Sequence, residues 1–114
     1  MTATYTVLHA DGDIVRRGLS LEAAADALLS ADGRVYSIEF LHGAFEIRRS
    51  QFSQNANGGA GPLRPVQANG RFLHPTLRAL YTAVVSDEWN GLYAIPDAEY
   101  DARAAAETEE DPDA

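Results

Sequence analysis

The chain contains no cysteine and no lysine. Without cysteine there is no disulfide framework, no thiolate-ligated zinc or iron–sulfur centre and no thiol nucleophile. Without lysine, all nine cations are arginine, each a planar fork suited to carboxylate or phosphate. Together with abundant alanine, that bias points to a GC-rich genome. No apolar run approaches the ~18 residues of a membrane-spanning helix. Met1-Thr2-Ala3-Thr4-Tyr5 lacks the basic and apolar regions of a signal peptide. The expectation is a soluble protein of the cytoplasm without membrane contact.

Catalytic signatures are missing too. His9, His42 and His74 stand singly, with no i, i+4 pair and no HExxH. None of the serines at 20, 30, 37, 50, 53 and 86 sits in a G-x-S-x-G elbow. Gly58-Gly59-Ala60-Gly61 lacks the strand before and helix after of a dinucleotide loop, and no G-K-[ST] follows. Glu39 and Glu46 form one candidate carboxylate pair. On an exposed sheet face with Arg48 nearby, solvent and counter-charge would screen them. The chain is therefore expected to be non-enzymatic, with no cofactor and no metal.

What is present fits one compact domain: 114 residues, 46% hydrophobic. A chain of this length buries roughly two-thirds of its unfolded surface. The net charge of −8 is uneven. Residues 1–46 carry seven acids against three arginines, and residues 87–114 ten acids against one. Between them, residues 47–86 carry five arginines and no acid.

The hydropathy pattern predicts two β-hairpins around a helix. Thr4–His9 is rich in β-formers, Asp11-Gly12 signals a two-residue turn, and Asp13–Arg17 returns as an edge strand ended by Gly18. Ser20 caps a helix over about 21–31, with Leu21, Ala24, Ala25, Leu28 and Leu29 on one face. Val35–Leu41 and Ala44–Arg49 pair about His42-Gly43. That register sets Phe40 opposite Phe45, Ile38 opposite Ile47, Tyr36 opposite Arg49, Ser37 opposite Arg48 and Glu39 opposite Glu46. The opposite face of this hairpin is polar, as a one-sided sheet requires. Residues 50–62 read as a flexible loop. Leu63–Leu73 reads as a weak hairpin about Asn69-Gly70, with Pro65 against a central strand. Pro75 suits the first turn of a second helix, whose stripe is Leu77, Leu80, Tyr81, Val84 and Val85. Pro96 opens a third helix that runs through Ala106. The expected fold is α+β: a four-stranded antiparallel sheet of two hairpins on two to three helices. It forms a single domain over 1–106, with a disordered acidic tail at 107–114.

Two surfaces are candidates for binding. Asp87, Glu88, Asp97, Glu99 and Asp101 flank Trp89, Tyr93 and Tyr100. Acids beside an exposed aromatic anchor, here Trp89, suit contact with an arginine-rich partner; the competing reading is that Trp89 and Tyr93 close the core. Arg48, Arg49, Arg64 and Arg71, interleaved with Phe52 and Phe72, suit a phosphate backbone and stacked bases. Pairing of these arginines with the chain's own surplus acids competes with that.

The segment Trp89-Asn90-Gly91-Leu92-Tyr93-Ala94-Ile95-Pro96-Asp97-Ala98-Glu99-Tyr100-Asp101-Ala102, with Thr4–Val7 and Leu21–Leu29, resembles small proteins encoded on phages and mobile elements of GC-rich alphaproteobacteria. The resemblance covers about two-thirds of the chain and leaves out the middle loop, residues 50–74. It implies a short hairpin–helix–hairpin domain and, by context, an inhibitor of host defence of the anti-CRISPR kind. It carries no catalytic residues. The expectation is a DNA-mimicking binding protein that blocks a host defence complex with a basic nucleic-acid-binding groove. The second reading is a nucleic-acid-binding accessory protein that uses the arginine-rich segment 48–78.

Overall fold

The computed structural model describes residues 3–53, 62–67 and 73–110, side chains excepted at 52–53 and 107–110. Strands β1 (Tyr5–His9) and β2 (Ile14–Leu19) form the first hairpin. Its turn is one residue longer than Asp11-Gly12 alone predicts. His9 N–H donates to the Asp13 carbonyl and Gly12 N–H to the His9 carbonyl, each at 2.8 Å. Gly12, at φ +102°, takes the left-handed position that closes such a three-residue loop. Gly18 was expected to end β2. It lies inside the strand instead, where β2 advances from Arg16 to Leu19 while β1 advances only from Val7 to Tyr5. The extra residue is a bulge, which blunts an exposed strand edge.

Helix α1 (Leu21–Leu29) is capped as expected: the Ser20 hydroxyl accepts from Ala23 N–H at 3.1 Å. Its Ala24, Ala25, Leu28 and Leu29 are buried. Strands β3 (Arg34–Leu41) and β4 (Ala44–Ser53) follow, and all five predicted pairs are in register. His42 (φ +54°) and Gly43 (φ +82°) make the two-residue turn with both centres left-handed, which matches the strand twist and fixes the pairing. Tyr36 ties this hairpin to α1 by donating its hydroxyl to Asp26 Oδ1 at 2.6 Å. Burial, then that bond, pushes the phenol pKa up.

The remaining elements depart from the expected single sheet. β4 runs to Ser53, so the start of the predicted loop 50–62 is strand; residues 54–61 lie outside the described residues. β5 (Leu63–Pro65) and β6 (Leu73–His74) both pair with the same edge of β4, at Arg48–Ser50 and Phe45–Glu46. Asn69-Gly70 falls outside the described residues. Pro65 is tolerated because β5 is an outer strand. Helix α2 (Leu77–Val85) starts one residue after its Thr76 cap, leaving Pro75 before the helix. An unpredicted strand, β7 (Leu92–Pro96), pairs with β1 along its whole length. Helix α3 (Asp97–Glu110) follows directly, so it continues past Ala106; residues 111–114 lie outside the described residues. The result is α+β with two antiparallel sheets, β2-β1-β7 and β3-β4-β5 with β6 beside β5 on β4.

Alternation along β1 and β7 splits the first sheet between two covers. Val7, Leu92 and Ala94 join the core of α1 and α2, to which the second sheet contributes Ile47. Leu8, Tyr93 and Ile95 face a cleft of about 220 Å³ shared with Tyr100 and Ala104 of α3. Helix α3 therefore lies on the side of the sheet away from α1. It turns back at Asp97, whose N–H donates to the Thr4 carbonyl at 2.9 Å.

Candidate functional site

The five acids and one aromatic expected to form a single surface do not lie together. Trp89 is not an exposed anchor. It is 7% exposed and sits in the core. Its indole N–H donates to the Val84 carbonyl at the end of α2, at 2.9 Å, and the Arg49 guanidinium lies 5.8 Å from the ring centre. The competing expectation, that Trp89 closes the core, is the one the geometry bears out.

Asp97, Glu99 and Asp101 are engaged within the chain. Asp97 accepts the hydroxyls of Thr4 and Thr6, each at 2.5 Å. Arg17 donates to the Thr6 hydroxyl (3.3 Å) and to Asp101 (2.9 Å), lies 3.8 Å from Asp97, and covers the Tyr100 ring at 5.1 Å. Glu99 pairs with Arg103 one turn on, at 2.5 Å. The Asp97 and Asp101 contacts fasten the first turns of α3 to the β1–β2 hairpin.

The Thr4 and Thr6 hydroxyls hold the Asp97 carboxyl below the usual carboxylate range; desolvation opposes them, and the Gly18 N–H and Arg17 add to the lowering. A carboxyl depressed in the folded state contributes stability above its unfolded pKa of about 4, and loses it as pH falls through the folded value. Urea unfolding of the wild-type chain and Asp97→Asn is therefore expected to show a gap at pH 7 that narrows toward pH 2. A gap of constant size would assign the effect to shape rather than charge.

Asp11, Asp13 and Glu88 remain. All three are exposed, and among the described residues none of them forms an ion pair. Backbone geometry gathers them. Ala10 N–H donates to the Gly91 carbonyl at 2.9 Å, joining the Asp11–Asp13 turn to the Asn90-Gly91 turn. Glu88 precedes the Trp89–Leu92 bridge that closes this second turn, with Asn90 at φ +56° and Gly91 at φ +79°. Asp87, half-buried, lies beside it. Helix α3 runs toward the same end, because Ala104 lines the cleft with Gly12. One pole of the first sheet thus presents Asp11, Asp13 and Glu88. Sequence order concealed the grouping, since Asp11 and Glu88 stand far apart along the chain.

The arginine set is likewise divided. Arg48 is spent on the Glu39–Glu46 pair, with its Nε 3.2 Å from Glu39 and 2.8 Å from Glu46. Glu46 is not on a solvated face: it is 6% exposed, and β6 pairs beside it through Leu73. A single guanidinium bridges both carboxylates, one cation shared between two acids. Arg49 bonds Asp32. Arg64 is exposed, whereas Arg71, Phe72 and the Phe52 side chain lie outside the described residues. Sequence reasoning missed Arg34, which lines a cleft of about 220 Å³ with Arg49 and Arg64.

His9 and His42 are exposed and His74 is half-buried. Among the described residues no three His, Asp or Glu side chains are placed to hold a metal. No described helix is long and apolar enough to cross a membrane. No family model, curated protein or solved structure matches the chain.

Proposed function

We propose that this chain is a non-enzymatic binding protein, encoded by a phage or mobile element, that acts in the host cytoplasm against a nucleic-acid-handling defence complex. It would do so as an anti-CRISPR-like DNA mimic, by offering an acidic surface to a basic groove. The observation that supports this most is the Ala10–Gly91 hydrogen bond, which brings Asp11, Asp13 and Glu88, none in an ion pair among the described residues, to one pole. The acceptor surface moves accordingly from the expected 87–101 stretch to this pole, with Glu88 common to both. Arg17, Arg48 and Arg49 are engaged with Asp101, Glu46 and Asp32, whereas Arg103, paired with Glu99, lines the cleft that Gly12 shares and exposed Arg16 lies on the same hairpin, so the pole carries its acids beside two cations.

A binding mode built on exposed charge steers association and weakens with ionic strength, because charges beyond a Debye length of about 8 Å are screened at physiological salt. The tagged chain is expected to capture such a complex from a lysate carrying candidate defence systems, and to release it as salt rises. The variant Asp11→Arg/Asp13→Arg/Glu88→Arg is expected to capture nothing. Capture that is unchanged by both salt and charge reversal would overturn the proposal. The second reading, contact with nucleic acid through Arg48, Arg49, Arg64 and Arg71, is weakened because Arg48 and Arg49 already face carboxylates.

A further inference from the structure

The cleft between β4, β5 and the start of β3 gathers three arginines. Arg49 and Arg64 sit opposite each other in the β4–β5 ladder, and Arg34 opens β3 two residues after Asp32. All three line the cleft, together with Ser50 and Gln51. The Arg49 side chain is nine-tenths buried, and its Nε has no hydrogen-bond partner among the described residues. Arg34 and Arg49 share one carboxylate: Asp32 lies 3.4 Å from Arg34 Nε and also bonds Arg49. Three guanidinium groups against one carboxylate leave two positive charges in excess, in a chain whose total is −8. Burial and the like charge of Arg34 both disfavour the Arg49 cation, opposed by Asp32. An incompletely paired, buried guanidinium is costly unless something completes its partners.

We propose that this cleft binds a terminal phosphate group, a phosphate monoester carrying two negative charges. The charge matches the excess. Guanidinium forks grip tetrahedral oxyanions through paired, charge-assisted N–H donors. The cleft volume of about 220 Å³ is several times the ~30 Å³ occupied by a water in the liquid, so a phosphate fits with the first atoms of the group it esterifies. A continuous nucleic-acid backbone is the poorer occupant. Each of its phosphates carries one charge, and the strand would have to run on past a strongly acidic molecule. This site is separate from the acidic pole, and either can fail without the other.

The test uses the full chain and inorganic phosphate, against chloride at matched ionic strength. Phosphate at millimolar concentration is expected to raise the thermal midpoint and broaden the phosphorus resonance, and chloride to do neither. Arg64→Gln changes an exposed side chain and should weaken phosphate binding about tenfold. Arg34→Gln serves the same purpose if circular dichroism shows that Arg64→Gln does not fold. A short oligonucleotide with a 5′-phosphate is expected to bind and its 5′-hydroxyl counterpart not to. No effect of phosphate beyond chloride, or no loss in the folded arginine variant, overturns the site. Equal binding of the two oligonucleotides overturns its assignment to a terminal phosphate.

Discussion

Trp89→Ala is expected to destabilise the chain by about 3–5 kcal/mol, the range for removing a buried aromatic from a packed core. Three losses combine. The cavity opens where α1, α2 and β7 meet, since Trp89 belongs to the same core cluster as Leu28, Val84 and Leu92. The Val84 carbonyl at the C-terminal end of α2 loses its indole donor and keeps the longer bond from the Asp87 N–H, at 3.2 Å. Arg49 loses the ring near its guanidinium and, among the described residues, keeps its bond to Asp32. A domain of this size holds about 5–15 kcal/mol in total, so the variant would be close to unfolding at physiological temperature. Urea unfolding followed by far-ultraviolet circular dichroism measures the effect without relying on the lost fluorophore. Trp89→Phe keeps most of the volume and loses the hydrogen bond, with an expected cost nearer ~1–2 kcal/mol. An Ala variant within ~1 kcal/mol of wild type would restore Trp89 to the surface, as the partner anchor its sequence context suggests.

Reversing the acidic pole is expected to do the opposite: to leave folding alone and abolish partner capture. Asp11, Asp13 and Glu88 are exposed. Among the described residues the one bond from their side chains, Asp11 accepting the Asp13 N–H at 3.1 Å, lies within an already closed turn. Exposed substitutions of this sort usually move stability by about 0.5 kcal/mol or less each. In a complex with a basic groove, the same three changes put like charges face to face. That costs several kcal/mol, or a loss of at least about a hundredfold in affinity. Asp101→Asn is a useful contrast. Its carboxylate serves Arg17 and the seating of α3, so it is expected to affect stability more than capture. If Asp101→Asn were the variant that lost the partner, the contact surface would lie on the exposed face of α3.

The two hairpins show what made part of this architecture legible. His42-Gly43 permits one turn geometry, and that geometry carries the entire β3–β4 register with it. α1 is equally local: a serine cap, an acid in the first turn and a continuous apolar face. β7 was missed for a local reason as well. Asn90-Gly91 is a hairpin signal as strong as any in the chain, but standing after an amphipathic helix it reads as a helix terminator. Pro96, in turn, reads as a helix start. The signal available was the alternation Leu92-Tyr93-Ala94-Ile95, now split between the core and the α3 face. The burial of Glu46 had no local signal, because the two-residue strand beside it comes from a stretch without periodicity.

The candidate site was less legible than the fold for a related reason. Counting charge along the chain groups Asp87 through Asp101, but β7 and the turn into α3 carry those residues to opposite ends of a sheet. Asp97 and Asp101 end beside Arg17, whereas Glu88 ends beside Asp11 and Asp13, joined through one backbone hydrogen bond. The arginines divided in the same way: Arg48 was absorbed by the carboxylates beside it, and Arg34 came to Arg49 and Arg64 across the second sheet. Contacts between elements distant in sequence decided the acidic pole, the Arg17 cluster and the Arg34–Arg49–Arg64 cleft, whereas Arg48 beside Glu39 and Glu46 follows from the hairpin register.

The central claim, that the chain occupies a groove meant for nucleic acid, is tested most directly by competition. The captured complex would be challenged with a DNA duplex known to fill the groove of that complex, carrying 5′-hydroxyl ends so that the arginine cleft is not engaged, at fixed ionic strength. The account predicts that DNA displaces the chain in proportion to its occupancy, and that chain and DNA are never found on the same complex. A stable ternary complex, with chain and DNA bound together at undiminished affinity, would contradict it.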